Sequence, residues 1–366
     1  MEKIPQRHSI LTQTIEILRE RIKSGEWETY LPGENELAQR LQVGRNTIRK
    51  ALSQLTSEQV IEAGCSGRRR RILTNKPAKR KRVSPHQPVI FLTPFPPDQL
   101  PSMALRLVDE IRPLLNEAGY RLSIMSSKAF RLKHPNNLLK KLIEEHPASA
   151  WILHQTTEPM QRFFQELGIP CTILGTPHQN IFVPAITWDL VAATRHAANT
   201  LIAKGHRRIC FLRAKQGLAG SELALLGFNE AFARFEDDPS YKPTVVALQS
   251  DPEQVQRSIR RLFGQAQAPT AIISEQVLIV PTIICALAQM SKQVPDEVSL
   301  ISLFHDPNLD YLLPRIAHYH TNPQLEVKKT TQSVIHAIQH GAQFAPQTKL
   351  MPEFVAGASV GKPAPN

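Results

Sequence analysis

The sequence predicts two unlike folds in one chain: a small helical head with a β-hairpin wing, then an α/β body of two lobes built on parallel sheets. Three observations carry this. Charge is lopsided: the formal net charge is +12, and residues 1–87 hold 18 Lys and Arg against 9 Asp and Glu, leaving 26 and 23 to the rest. The first 75 residues place apolar side chains at helical spacing on either side of two tight turns. From Val89 onward, short apolar runs alternate with amphipathic stretches, the pattern of strands buried on both faces by helices. At 366 residues the chain has room for two or three domains.

In the head, Ile10, Ile15, Leu18 and Ile22 predict a helix over 8–24 that ends near Gly25. A turn at Leu31-Pro32-Gly33 leads to a second helix, Glu34 to Leu41, with Leu37, Ala38 and Leu41 inward. Gln42-Val43-Gly44 is a tight turn with Gly44 suited to a positive φ. A third helix, Arg45 to Glu58, buries Ile48, Leu52 and Leu55. Two helices about such a turn make a helix-turn-helix, whose second helix reads the major groove with its N-terminal residues. Arg45, Asn46, Thr47, Arg49 and Lys50 supply that polar face. Arg suits guanine, Asn suits adenine and Thr offers a hydroxyl or a methyl. Val60–Ala63 and Arg68–Leu73 then read as a hairpin about Gly64-Cys65-Ser66-Gly67, whose run Arg68, Arg69, Arg70 and Arg71 suits phosphates or a narrow minor groove.

Residues 31–64, LPGENELAQRLQVGRNTIRKALSQLTSEQVIEAG, resemble the GntR-type winged helix-turn-helix. Leu31, Pro32, Glu34, Leu37, Ala38, Leu41, Val43, Arg45, Thr47, Arg49, Ala51, Leu52, Leu55 and Ile61 all fit its pattern. The resemblance implies DNA contacts from Gly33, Asn35, Arg45, Asn46, Thr47, Arg49 and Lys50, and from Ser66, Gly67, Arg68, Arg69 and Arg70 on the wing. Asn35 stands where many members carry a DNA-contacting Arg, Gly44 replaces Ser or Thr, and Gln59 replaces Gly. Residues 1–75 are thus expected to be the DNA-binding domain. Residues 76–88, KPAKRKRVSPHQP, are expected to be an exposed basic linker.

Residues 89–366 are expected to form the body. VIFLT (89–93), YRLSIM (120–125), AWILH (150–154), IPCTIL (169–174), RICFL (208–212), TVVAL (244–248), TAIIS (270–274) and VSLISL (298–303) predict strands, with helices between. So long a stretch exceeds one sheet of ordinary size, so two lobes are expected, with a ligand cleft at the strand carboxyl ends. Asp189 to Leu212, DLVAATRHAANTLIAKGHRRICFL, is similar to the LacI/GalR-type effector domain, most specifically in Gly205-His206-Arg207-Arg208-Ile209. Gly227-Phe228, Pro269–Ile272, Val294–Ile301, Pro314–Ala317 and Pro352–Val355 extend the likeness. It implies a type I periplasmic-binding-protein-like fold with three crossovers between lobes. A GntR-type head on such a body resembles the arabinose-repressor arrangement.

The likeness breaks where sugar binding is usually decided. Ala224 replaces an Arg, Glu275-Gln276 replace Asn-Asp, Gly357 replaces the Arg of the last motif, and Leu303-Phe304-His305-Asp306 replaces Gly-Phe-Asp-Asp. By position at strand ends, Phe95, His154, Gln155, Glu275, Gln276, Phe304, His305 and Asp306 are the candidate effector-binding residues, and the acidic pair Glu275 and Asp306 favours a neutral sugar, a polyol or a cationic ligand. His206 reads as a helix-end cap.

The sequence carries no phosphate-binding glycine loop and no H-E-x-x-H. No enzyme activity, cofactor or metal site is expected. Cys65, Cys171, Cys210 and Cys285 lie far apart, which suits reduced thiols and a cytoplasmic setting. No run of apolar residues is long enough to span a membrane. The sequence thus predicts a DNA-binding transcriptional regulator, a repressor binding a pseudo-palindromic operator as a homodimer and modulated by a small molecule. The alternative is a dimeric DNA-bound scaffold whose body has lost small-molecule sensing.

Overall fold

The computed structural model describes residues 10–23, 26–27, 30–41, 43–57, 60–62, 70–73, 87–215, 217–341 and 347–364. By its contacts the chain divides into two compact units, Met1–Arg82 and Val83–Asn366.

In the first unit α1 (Ile10–Lys23), α2 (Glu34–Leu41) and α3 (Arg45–Ser57) surround one core. Ile15, Leu18, Ile22, Trp27, Leu31, Leu37, Ile48, Leu52 and Leu55 fill it, joined by Ile61 and Ile72 from the wing. Gly44 is not in the left-handed region. Its carbonyl instead accepts from the Thr47 and Ile48 amides at 2.9 and 3.2 Å, starting α3. A Cβ there would meet only Thr47 Oγ1 at 3.9 Å, so the Ser or Thr of relatives would fit equally well. The wing is narrower than two full strands among the described residues: antiparallel bridges join Tyr30 to Arg71 and Ile61 to Ile72. Ser66, Gly67, Arg68 and Arg69, and residues 76–86 of the expected linker, lie outside the described residues.

The second unit holds two six-stranded sheets. The first lobe contributes β1 (Val89–Thr93), α4 (Ser102–Glu117), β2 (Leu122–Ser126), α5 (Asn136–Glu145), β3 (Ala150–His154), α6 (Glu158–Glu166), β4 (Cys171–Leu174) and β5 (Ala185–Trp188). The chain crosses at Asp189 into α7 (Leu190–Ala203), β6 (Ile209–Ala214), α8 (Ala219–Phe232), β7 (Thr244–Leu248), α9 (Pro252–Phe263), β8 (Ala271–Ser274), α10 (Val280–Ala288), β9 (Ser299–Ser302) and β10 (Ala317–His320). It returns through α11 (Pro323–His340) and β11 (Gln347–Leu350), then crosses a third time to β12 (Glu353–Val355). The sheet orders are β11-β5-β4-β3-β1-β2 and β12-β10-β9-β8-β6-β7, parallel but for β12 against β10. The three expected crossovers are therefore present.

Close packing explains two of the sequence landmarks. A Cβ on Gly227 would lie 2.2 Å from the Val191 carbonyl oxygen, so glycine lets α8 press against α7. His206 is not a side-chain cap. The helix end is closed by backbone, Gly205 N to Ile202 O and His206 N to Leu201 O at 2.9 and 3.1 Å. The buried imidazole instead joins Thr270 Oγ1 and Ser299 Oγ, each at 2.9 Å. It ties the start of β6 to the starts of β8 and β9.

Candidate nucleic-acid interface and ligand cleft

On the head, packing decides which face of α3 is free. Ile48, Ala51, Leu52 and Leu55 are buried, and Arg45, Asn46, Arg49 and Lys50 are exposed, with Thr47 partly so. Gly33 and Asn35, at the start of α2, are exposed as well. These sequence-predicted residues thus share the open side of the helix-turn-helix.

Glu34 was not among the predicted site residues. Its carboxylate accepts from Arg49 Nε at 3.4 Å and from Arg70 Nη2 at 3.2 Å. Arg70 is thereby turned onto the head, with its side chain 21% exposed, while Arg49 remains 61% exposed. The signal lay in the sequence only as an acidic residue in the first turn of α2, where a helix N-terminus favours negative charge.

In the body, the carboxyl ends of the strands of both lobes converge. Trp188, ending β5, packs against the cores of both lobes and against the Phe304 ring, with centroids 5.0 Å apart. Asn308 Nδ2 donates to Ser102 Oγ across the lobes at 3.3 Å. At the crossovers Asp189 Oδ1 caps α7 by accepting from Ala192 N at 3.0 Å, while Oδ2 pairs with Lys349 of β11 at 3.3 Å. Glu326 of α11 accepts from Thr321 Oγ1 at 2.9 Å and from Trp188, and burial pushes its carboxyl above the ordinary range. The three crossovers are cross-braced.

The eight cleft candidates separate into groups. Phe95 and His154 lie together, centroids 6.4 Å apart, and His154 Nδ1 sits 3.1 Å from Thr93 Oγ1. Burial pulls the His154 imidazole down to about 4, so the ring is neutral at pH 7. Gln155 follows with φ 52°, left-handed for a non-glycine residue. Glu275 is spent internally: Oε2 accepts from Ala214 N at 2.9 Å and Ser221 Oγ at 2.7 Å. Burial raises its carboxyl, against the pull of those hydrogen bonds. Gln276 donates to Leu248 O at 3.0 Å and Arg213 O at 3.4 Å, and accepts from Ser250 Oγ, lashing three strand ends together. His305 pairs with Asp310 at 3.1 Å and stacks on His318, centroids 4.4 Å apart. Asp306 accepts from Asn308 N at 3.0 Å through Oδ1, while its Oδ2 is buried without a partner.

A winged helix-turn-helix head and a two-lobed body with strand ends facing each other together define a DNA-binding transcriptional regulator. Sequence profiles agree: residues 11–65 match the bacterial regulatory proteins of the gntR family, and residues 198–360 match the periplasmic binding protein-like domain. The chain is a bacterial-type transcriptional regulator that joins these two modules. It is 23% identical over 282 residues to the arabinose metabolism transcriptional repressor of Geobacillus stearothermophilus, covering 74% of each chain. A LacI family transcriptional regulator from Enterococcus faecium with bound ribose superposes with a TM-score of 0.63 at 14% identity, over 75% of this chain and 99% of that one. A periplasmic binding protein/LacI transcriptional regulator from Alkaliphilus metalliredigens complexed with D-xylulofuranose gives 0.62 at 16% identity, over 75% and 99%. The relatives are regulators rather than enzymes. Among the described residues no helix is long and apolar enough to cross a membrane.

Proposed function

We propose that this protein is a homodimeric transcriptional repressor that reads a pseudo-palindromic operator and is released by a small neutral polyhydroxyl ligand between the lobes of its body. The observation that carries the DNA half is the exposed edge of α3, where Arg45, Asn46, Arg49 and Lys50 are solvent-accessible above a buried apolar face. One winged head makes too few base contacts for useful specificity, so two heads on two half-sites are needed. For the ligand half, the buried, unpartnered Oδ2 of Asp306, in the loop that follows β9, offers an acceptor to a hydroxyl. The sugars bound by structural neighbours support that chemistry. A carboxylate beside it disfavours a phosphorylated ligand.

A second reading rests on its own observation. Glu275 and Gln276 are satisfied internally, and Trp188 packs against Phe304 between the lobes. A body so closed on itself serves dimerisation and a protein contact without sensing any small molecule. Thermal unfolding of the full chain with a panel of neutral sugars and polyols separates the two. A ligand at 100 times its dissociation constant adds about 2.7 kcal/mol. A rise with a sugar that Asp306→Asn abolishes supports the first reading, and no shift across the panel supports the second. Sedimentation of the full chain tests the dimer.

A further inference from the structure

The carboxylate of Glu34 lies between two arginines from different elements, 3.4 Å from Arg49 Nε on the reading helix and 3.2 Å from Arg70 Nη2 at the base of the wing. Arg70 is also anchored through its backbone, its carbonyl accepting from Leu31 N at 2.9 Å. Glu34, with its side chain 27% exposed, is set by the first turn of α2, just after that anchored strand. The carboxylate takes the Nε edge of Arg49 and leaves the Nη edge, which suits an end-on approach to guanine. A guanidinium already held on one edge loses less freedom when it meets a base than one on an untethered stem. The same carboxylate fixes the wing base relative to α3.

We infer that Glu34 is a positioning residue for sequence readout: it aims Arg49 at a base edge and holds the wing in register with the reading helix. This rests on the DNA-reading function proposed above. It gives an acidic residue on a DNA-facing surface a purpose, since its charge alone would only repel phosphates.

The test uses the full chain. Wild-type protein selects duplexes from a random 30-base-pair pool, and binding is then titrated on an enriched duplex and on an unselected one. Glu34→Ala should lower affinity for the enriched duplex about tenfold, the scale of one lost base contact. Affinity for the unselected duplex should hold or rise, because a repelling charge is gone, and the salt dependence should keep its slope. Glu34→Gln, which retains an acceptor oxygen, should lose less. In an Arg49→Ala background, Glu34→Ala should cost clearly less discrimination than in the wild type, since the part that acts through Arg49 is already gone. Losses equal on both duplexes, a gain equal on both, or losses that add to that of Arg49→Ala would each overturn the assignment. Failure of the wild-type protein to enrich any duplex would overturn the DNA-reading function itself, and the assignment with it.

Discussion

Trp188 packs against Phe304 with ring centroids 5.0 Å apart and planes tilted by 40°. One ring ends β5 of the first lobe and the other follows β9 of the second, so this aromatic pair links two separate sheets. Trp188 also packs against both cores and donates toward Glu326 at the next crossover. Any movement of one lobe against the other must slide or break this contact.

Removing the pair should therefore loosen the hinge more than it harms either lobe. Trp188→Ala should cost about 3 kcal/mol of stability, within the range for deleting a packed aromatic. Small-angle scattering should show a larger radius of gyration than wild type. An unchanged radius with the full stability loss would mean that the ring serves only as core filling.

The exposed edge of α3 carries the DNA prediction. Arg45→Ala should weaken binding to the preferred duplex by about 1–3 kcal/mol and relax selection at one base pair, while random duplex is bound nearly as before. Competition titrations with single-base-pair variants measure this. Equal losses on both duplexes would assign Arg45 to phosphates.

His154 gives a pH dependence with a definite sign. Its folded value is pulled from 6.5 down to about 4. Between those values the unfolded chain holds a proton that the folded chain refuses, so stability falls as pH drops from about 6.5 to about 4. The loss is at most about 3.5 kcal/mol, from about 1.4 kcal/mol per pH unit. His154→Gln should flatten this part of the stability curve in urea titrations at successive pH values. A wild-type curve level across this window would contradict the burial of the neutral ring.

Gly227→Ala tests the approach of α7 and α8. The added methyl would meet the Val191 carbonyl at 2.2 Å, with backbone on both sides and no flexible side chain to yield. A loss of about 1–3 kcal/mol or more is expected on thermal unfolding, as for other overpacked sites. Tolerance within about 0.5 kcal/mol would show that the two helices separate easily.

Much of the architecture was legible because its causes are local. Apolar runs such as VIFLT and TAIIS are strands buried on both faces, and the spacing of Ile48, Leu52 and Leu55 fixes which side of α3 faces the core. The motif residues from Leu31 to Ile61 likewise placed the reading helix and its exposed arginines. Less legible were β5, α11 and β11. β11 is the polar edge segment QTKL, and α11 interrupts its apolar face with Thr330 and Thr331, so neither shows a strong period. The fate of each polar side chain was decided only by tertiary structure, because hydrogen-bond partners come from distant segments. Glu275, expected to meet a ligand, answers Ala214 and Ser221; His206, expected to cap a helix, joins Thr270 and Ser299; Glu34 finds Arg49 and Arg70. Period and propensity are properties of a segment and can be read along the chain. A buried polar group must find a partner wherever the fold brings one, and that choice exists only once the fold has closed.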